Sequence, residues 1–340
     1  MLRISLIKVN QLPVTSHQAQ SPSFRTERVS CMRKVFNAVP ACLLALCAAL
    51  LFSACAVPDK GLEQGVRAPE REEGEKALRK WRPLAKQGNA TAQYRIGRAY
   101  LRGDNAPQDF KEAARWYEKA ARQGHAEAQY GLGAMYSQGR GLAQDEEVGA
   151  KWVKRAAEQG NTNAMHDLGV MYSLGQGVAQ NYERAAHWYG RAAERGLVQS
   201  QYNLGALYAK GQGVEQDYKQ ALEWYRRAAE KRDTQAQYTM GSMYYHGEGV
   251  VRDHEQAAEW YRRAAEQGNP VSQYYLGLMY GKGQGVERDL VLAYKWLSLS
   301  ALQGNADAQS ERHSLAEAMT PEQITEAQRL AVKWIVDLRE

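Results

Sequence analysis

From Ala56 to Glu340 the chain contains no cysteine. That absence excludes a disulfide scaffold, a Cys-ligated zinc site and a cysteine nucleophile from most of the molecule. Net charge is nearly absent there too: residues 55–340 carry 38 Lys+Arg against 37 Asp+Glu, although the whole chain has a formal charge of +6. A body so close to neutral lacks the electrostatic footprint of a nucleic-acid binder. There is no glycine-rich phosphate loop between a strand and a helix, no His-Glu-x-x-His and no nucleophile elbow. The body's histidines, His125, His166, His187, His246, His254 and His313, do not share a metal-ligand spacing. These absences argue against catalysis and give no reason to expect a metal or other cofactor.

What is present divides into two pieces. Residues 1–54 hold six basic side chains and a single acidic one, Glu27, so they account for most of the positive charge. Within this part, Val35 to Pro58 is a run of 24 uncharged residues with the apolar stretch Ala41–Phe52 at its centre. Arg33 and Lys34 precede it, and Ser53-Ala54 supply small residues before Cys55, the pattern of a cleaved export signal. Leu51-Phe-Ser-Ala-Cys55 resembles the lipobox of bacterial lipoproteins, with Phe52 departing from the usual Leu. The resemblance implies that the Cys55 thiol carries a diacylglyceryl group and that its freed amine is acylated. Several acyl chains anchor stably where one does not, each buried CH₂ adding roughly 0.8 kcal/mol. Ala56 after the cysteine implies transfer to the outer membrane of a Gram-negative cell, facing the periplasm. An ordinary signal peptide with an incidental cysteine and an uncleaved anchor are the alternatives. Signal sequences begin close to their basic residues, which makes Met32 the expected start. The expected divisions are an upstream extension at 1–31, a signal peptide at 32–54 and a flexible tether at 55–74.

The remainder repeats itself. Gly97, Gly133, Gly169, Gly205, Gly241 and Gly277 recur every 36 residues, and so do Trp116, Trp152, Trp188, Trp224, Trp260 and Trp296. Tyr100 and Gly103 keep the same step through all six copies. Each unit spells two helices. In the second copy Ala128, Leu132, Met135 and Tyr136 have helical spacing, and Gly139 stops the first helix. Asp109, Asp145, Asn181, Asp217, Asp253 and Asp289 form a column of N-cap residues for the second helix. A glycine inside a helix costs about 1 kcal/mol relative to alanine. Its retention at Gly97 and every copy predicts close approach of a neighbouring helix, with a Trp or Tyr of the second helix lying over it. The Gly and Trp columns are therefore expected to be structural.

The pattern Ala-Gln-Tyr-x-Leu-Gly-x-Met-Tyr-x-x-Gly-x-Gly-Val, continued by Asp-x-x-x-Ala-x-x-Trp-Tyr-x-x-Ala-Ala, resembles the Sel1-like repeat, a relative of the tetratricopeptide repeat. The resemblance covers residues 90–305. It implies an all-α, right-handed α-solenoid of stacked helix pairs with six full repeats. A capping helix is expected at 75–89 and capping helices at 306–340, the latter including the capping box Thr320-Pro-Glu-Gln323. Arg232 stands where other units have Gly, which predicts an altered bend between the fourth and fifth units.

The resemblance also implies a non-catalytic scaffold or adaptor that binds an extended partner in a concave groove. Positions on one face of the first helix vary between copies and are the candidates for specificity. They include Arg95, Arg98 and Arg102 in the first unit, Asp167, Val170 and Leu174 in the third, and Lys210 in the fourth. Tyr245 and His246 in the fifth unit and Tyr275, Leu278 and Lys282 in the sixth complete the set. The expected partners are other envelope proteins or peptides. The alternative is a regulatory or chaperone-like subunit of a peptidoglycan or polysaccharide machine, with glycan in the groove. Some cysteine-rich Sel1-like proteins are linked to β-lactam hydrolysis, but their cysteine pairs have no counterpart after Cys55, so a β-lactamase is the weakest reading. Replacing Cys55 with Ser is expected to release the protein from the membrane fraction; continued retention after that substitution would defeat the lipid-anchor expectation.

Overall fold

The computed structural model describes residues 76–103 and 106–337. Cys55, the signal segment and the tether lie outside the described residues. Every described element is a helix or the turn between two helices. After α1 (residues 76–86) come the six pairs: α2 Ala90–Arg102 with α3 Phe110–Arg122, and α4 Ala126–Gln138 with α5 Glu146–Glu158. Next are α6 Thr162–Leu174 with α7 Tyr182–Glu194, and α8 Val198–Lys210 with α9 Tyr218–Glu230. The last pairs are α10 Thr234–His246 with α11 His254–Glu266, and α12 Pro270–Lys282 with α13 Leu290–Leu302. Helices α14 Ala306–Ala316 and α15 Pro321–Asp337 follow. The first helix of each pair is called helix A below and the second helix B. Each packs on its own partner and on the next pair, giving a right-handed α-solenoid of six units.

Local chemistry sets the boundaries. Every residue in the Asp/Asn column caps helix B: the Asp145 carboxylate, for example, accepts from the Val148 N–H at 2.9 Å. A second column caps helix A, with Asn89, Asn161, Asp233, Asn269 and Asn305 accepting from the N–H three residues on. Leu197 occupies that column in the fourth unit and provides no side-chain cap. Helix α15 starts with the expected capping box. Thr320 N–H donates to Gln323 Oε1 at 2.9 Å, and Gln323 N–H donates to Thr320 Oγ1 at 3.3 Å. Its Ala327 and Ala331 are buried, and Trp334 meets Trp296 edge-on with ring centroids 6.2 Å apart, closing the end of the stack.

The helix A glycine is covered by a side chain of helix B. A Cβ on Gly97 would stand 2.5 Å from the Tyr117 ring, on Gly169 2.6 Å from Tyr189, and on Gly241 2.6 Å from Tyr261. Val153 and Leu297 take this place over Gly133 and Gly277. The covering residue is thus the Tyr column, not the Trp column one position earlier. Each Trp instead packs on the core of the preceding unit, as Trp152 does on the cluster around Ala113, Tyr117 and Leu132. A cation lies over its ring: Arg155 over Trp152 at 4.5 Å, Arg227 over Trp224 and Arg263 over Trp260 at 4.6 Å. Each such cation contributes a cation–π contact of about 0.5–1 kcal/mol at an exposed site.

The bend at Arg232 is retained, contrary to the sequence expectation. Arg232 adopts φ 66°, the left-handed conformation that glycine takes at the other connectors. The closing bond from Asp233 N–H to Ala228 O measures 3.2 Å, as does the corresponding bond from His125 to Ala120. The chain accepts local strain to keep the connector, because the packing on both sides fixes it.

Successive units are also joined by buried glutamines. The Gln129 amide donates to Ala121 O of the preceding helix B at 3.0 Å, and its Oε1 accepts from Gln159 at 2.6 Å. The same pair of bonds recurs at Gln93 with Gln123, Gln237 with Gln267 and Gln273 with Gln303. Two units break the ladder. Met165 and Arg195 replace both glutamines in the third, where Arg195 reaches Gly160 O at 2.9 Å. In the fourth, Lys231 reaches Gly196 O at 2.8 Å instead, and the buried Gln201 Oε1 accepts no hydrogen bond. An unsatisfied buried acceptor costs about 1–3 kcal/mol. Lys231→Gln is expected to restore the pair and stabilise the array by about 1 kcal/mol, read as a higher urea midpoint; an unchanged midpoint would show that this oxygen costs nothing.

Candidate functional site

Helix A carries an aromatic three residues before its glycine: Tyr94, Tyr130, Tyr202, Tyr238 and Tyr274, with His166 in the third unit. In the first, third, fourth and fifth units these rings lean on the helix B tyrosine that covers the glycine. Tyr94 stacks on Tyr117 with centroids 5.7 Å apart, Tyr202 packs on Tyr225 at 5.3 Å and Tyr238 on Tyr261 at 6.1 Å. Burial raises the hydroxyl pKa of Tyr117, Tyr130, Tyr225 and Tyr261 above the ordinary phenol value, so none of them ionises under physiological conditions.

The candidate positions stand beside this aromatic row and differ in how free they are. Arg95, Arg98 and Arg102 are exposed at one end, with the Arg95 guanidinium 5.7 Å from the Trp81 ring centroid. Asp167 is already engaged, accepting from the Tyr130 hydroxyl at 2.8 Å and tying the second unit to the third. Val170 is half-buried against the central core, whereas Leu174 is 60% exposed and Lys210 is exposed. Leu278 is half-buried and Lys282 exposed.

Tyr245, His246 and Tyr275 come together. The Tyr245 and Tyr275 rings are 5.5 Å apart, and His246 stands perpendicular to Tyr275 at 6.3 Å. Tyr275 also stacks flat on Tyr261 at 5.1 Å, and Tyr245 meets the His254 ring at 5.3 Å. Tyr238, His254 and Tyr261 are therefore the base of a cluster whose upper rim is Tyr245, His246 and Tyr275. Sequence reasoning missed that base because its members lie in different columns and on different helices. The available signal was Tyr245 itself, which stands where other units carry Leu101, Ser137, Ser173, Ala209 and Gly281. Among the described residues no group of His, Cys, Asp or Glu is placed to hold a metal ion, and no helix is long and apolar enough to cross a membrane.

Comparison with known proteins identifies the repeat. The Sel1 repeat model matches residues 90–125, 126–161, 162–197, 198–233, 234–269 and 270–305, more than half of the chain. The chain is a Sel1-repeat protein. It is similar to the crystal structure of c5321, a protective antigen present in uropathogenic Escherichia coli strains displaying an SLR fold. The TM-score is 0.69 and the identity 36%, over 75% of this chain and 56% of that one. This Sel1 chain thus spans little more than half the length of that relative. A Sel1 repeat protein from Oxalobacter formigenes matches with a TM-score of 0.55 and 34% identity, over 63% of this chain and 86% of the other. No curated protein matches the chain. Sel1-repeat proteins are in general scaffolds for protein–protein interaction, mostly without enzymatic activity.

The third unit of the Sel1 array gives a pH test. His166 replaces the column tyrosine, its Nδ1 lies 2.8 Å from Ser200 Oγ, and burial holds its pKa below the usual 6.5 despite the nearby Asp167. The folded state therefore prefers neutral imidazole: the associated stability is present above pH 6.5 and is lost as pH falls through the depressed folded value. Asp167 shifts the opposite way, its carboxyl pKa raised above 3.8 by burial, so its penalty is relieved as pH falls through that raised value. His166→Tyr should flatten the decline in urea stability on acidification below pH 6.5; an identical slope in both proteins would remove His166 as its source.

Proposed function

We propose that this Sel1 protein is a lipid-anchored envelope scaffold whose helix A face binds an extended segment of another protein. The observation that carries the proposal is the cluster of Tyr245, His246 and Tyr275, whose rings lie 5.0–6.3 Å apart on that face. Aromatic side chains provide large contact area for little conformational entropy, which is why they dominate interface energetics. Below the rim, Tyr261 stacks beneath Tyr275 and fixes its orientation. At the opposite end Arg95, Arg98 and Arg102 form an exposed basic group suited to an acidic stretch of the same partner. Leu174, Lys210 and Lys282 add an apolar contact and two charges along the way. The anchoring part of the proposal rests on the lipobox at Cys55.

Affinity isolation from solubilised membranes tests it, comparing the wild type with Tyr245→Ala/Tyr275→Ala. A stoichiometric protein partner is expected with the wild type, bound at least ~30-fold more weakly by the double variant if each ring is a hot spot of about 1–2 kcal/mol. Isolation with glycan alone would overturn the scaffold reading in favour of a polysaccharide machine. Circular dichroism of the double variant separates lost binding from lost folding.

A further inference from the structure

Two surface cavities, each between helix B of one unit and helix A of the next, are copies of each other, displaced by one repeat. The smaller, about 280 Å³, is lined by Lys154, Leu168, Tyr172 and Val178, and the larger, about 460 Å³, by Gly190, Leu204, Tyr208 and Val214. The repeat places Gly190 in the column of Lys154, and the other copies of that column are Arg82, Glu118, Arg226, Arg262 and Ser298. Gly190 lies in the interior of α7, where it costs about 1 kcal/mol relative to alanine. Unlike Gly169 or Gly205, it has no packing reason to be glycine: an added Cβ would meet only Leu204 Cδ2, at 4.0 Å.

Two other copies show what fills this space when the chain supplies it. Arg82 Nη2 donates to the Tyr100 hydroxyl at 3.4 Å, and Arg262 Nη2 donates to the Tyr280 hydroxyl at 3.3 Å. Gly190 and Tyr208 stand in those same columns, so the tyrosine is retained while the guanidinium is missing. The floor is apolar, made by Leu204 and Val214, and Trp224 forms a wall whose ring is covered by Arg227 at 4.6 Å. Glu183 and Glu194 line the opening as exposed carboxylates, while the lining cation Arg191 is held over the Trp188 ring at 5.0 Å.

We propose that this cavity receives an arginine side chain of a protein partner. The guest guanidinium takes the position that Arg262 takes two repeats later and donates to the Tyr208 hydroxyl. Its charge faces Glu183 and Glu194, and its alkyl stem lies on Leu204 and Val214. Arginine suits the site better than lysine because its flat, weakly hydrated head can lie beside an aromatic wall while donating in plane. The site shares no residue with the Tyr245 cluster, so it stands or falls independently of it.

The test follows the Leu204 and Val214 methyl resonances of the whole protein during titration with N-acetyl-arginine amide, with N-acetyl-norleucine amide as the apolar control. Saturable shifts are expected with the arginine probe and not with norleucine. Gly190→Arg supplies the guest from within; it should fold with a higher melting temperature and abolish the shifts. Tyr208→Phe removes only the acceptor and should weaken the arginine probe several-fold, which keeps the test sound if Gly190→Arg misfolds. Absence of saturable shifts, equal shifts with norleucine, or shifts that persist in folded Gly190→Arg would each overturn the proposal.

Discussion

The array depends on one close approach, that of helix B to a helix A residue without a Cβ. Where Tyr117 covers Gly97 or Tyr261 covers Gly241, the ring occupies the volume a side chain would need, with as little as 2.5 Å to an added Cβ. Packed interiors tolerate little adjustment of that kind. This contact sets the distance and angle within each pair, and repeating it six times makes the units superimposable. The Trp column and the glutamine ladder then join neighbouring pairs. Both need the helices already at that spacing: the Trp to reach the preceding core, the Gln to reach the last carbonyls of the preceding helix B.

A solenoid held this way contacts mainly its nearest neighbours, so its stability is distributed along the stack. Local faults remain local. The fourth unit combines an uncapped helix A at Leu197, an unsatisfied Gln201 and a strained Arg232, and its helices still hold the shared geometry. The exposed ion pairs within helices, such as Arg227 with Glu223 and Lys151 with Glu147, contribute little by comparison because solvent screens them. The core of alanines packed with leucine, methionine, tyrosine and tryptophan side chains does most of the stabilising, as it must for helices of only 13 residues.

In both proposals specificity comes from a place where a unit departs from its siblings. Tyr245 puts a ring where other copies have small or aliphatic residues, and Tyr275 rises beside it. Gly190 removes a side chain from a column that otherwise carries Arg, Lys, Glu or Ser. One departure adds aromatic surface on helix A and the other opens a cavity beside helix B. Neither disturbs the repeat spacing of 36 residues.

The period, the helix pairs, their caps and the Sel1 identity were legible in the sequence because each is a local or strictly repeated signal. Asp145 caps its helix through residues three positions away, and Gly139 ends one through its own φ. The need for close approach at Gly97 was legible too, but not the identity of the covering side chain. Trp116 and Tyr117 are adjacent in sequence and diverge by about 100° around the helix, so only the packed pair decides which ring faces the glycine. The same limit applies to the candidate face. Asp167, legible as a variable position, is committed to Tyr130, while His254 and Tyr261 join Tyr245 from another helix. Such groupings depend on distances between chain segments tens of residues apart, and those distances exist only once the helices have stacked.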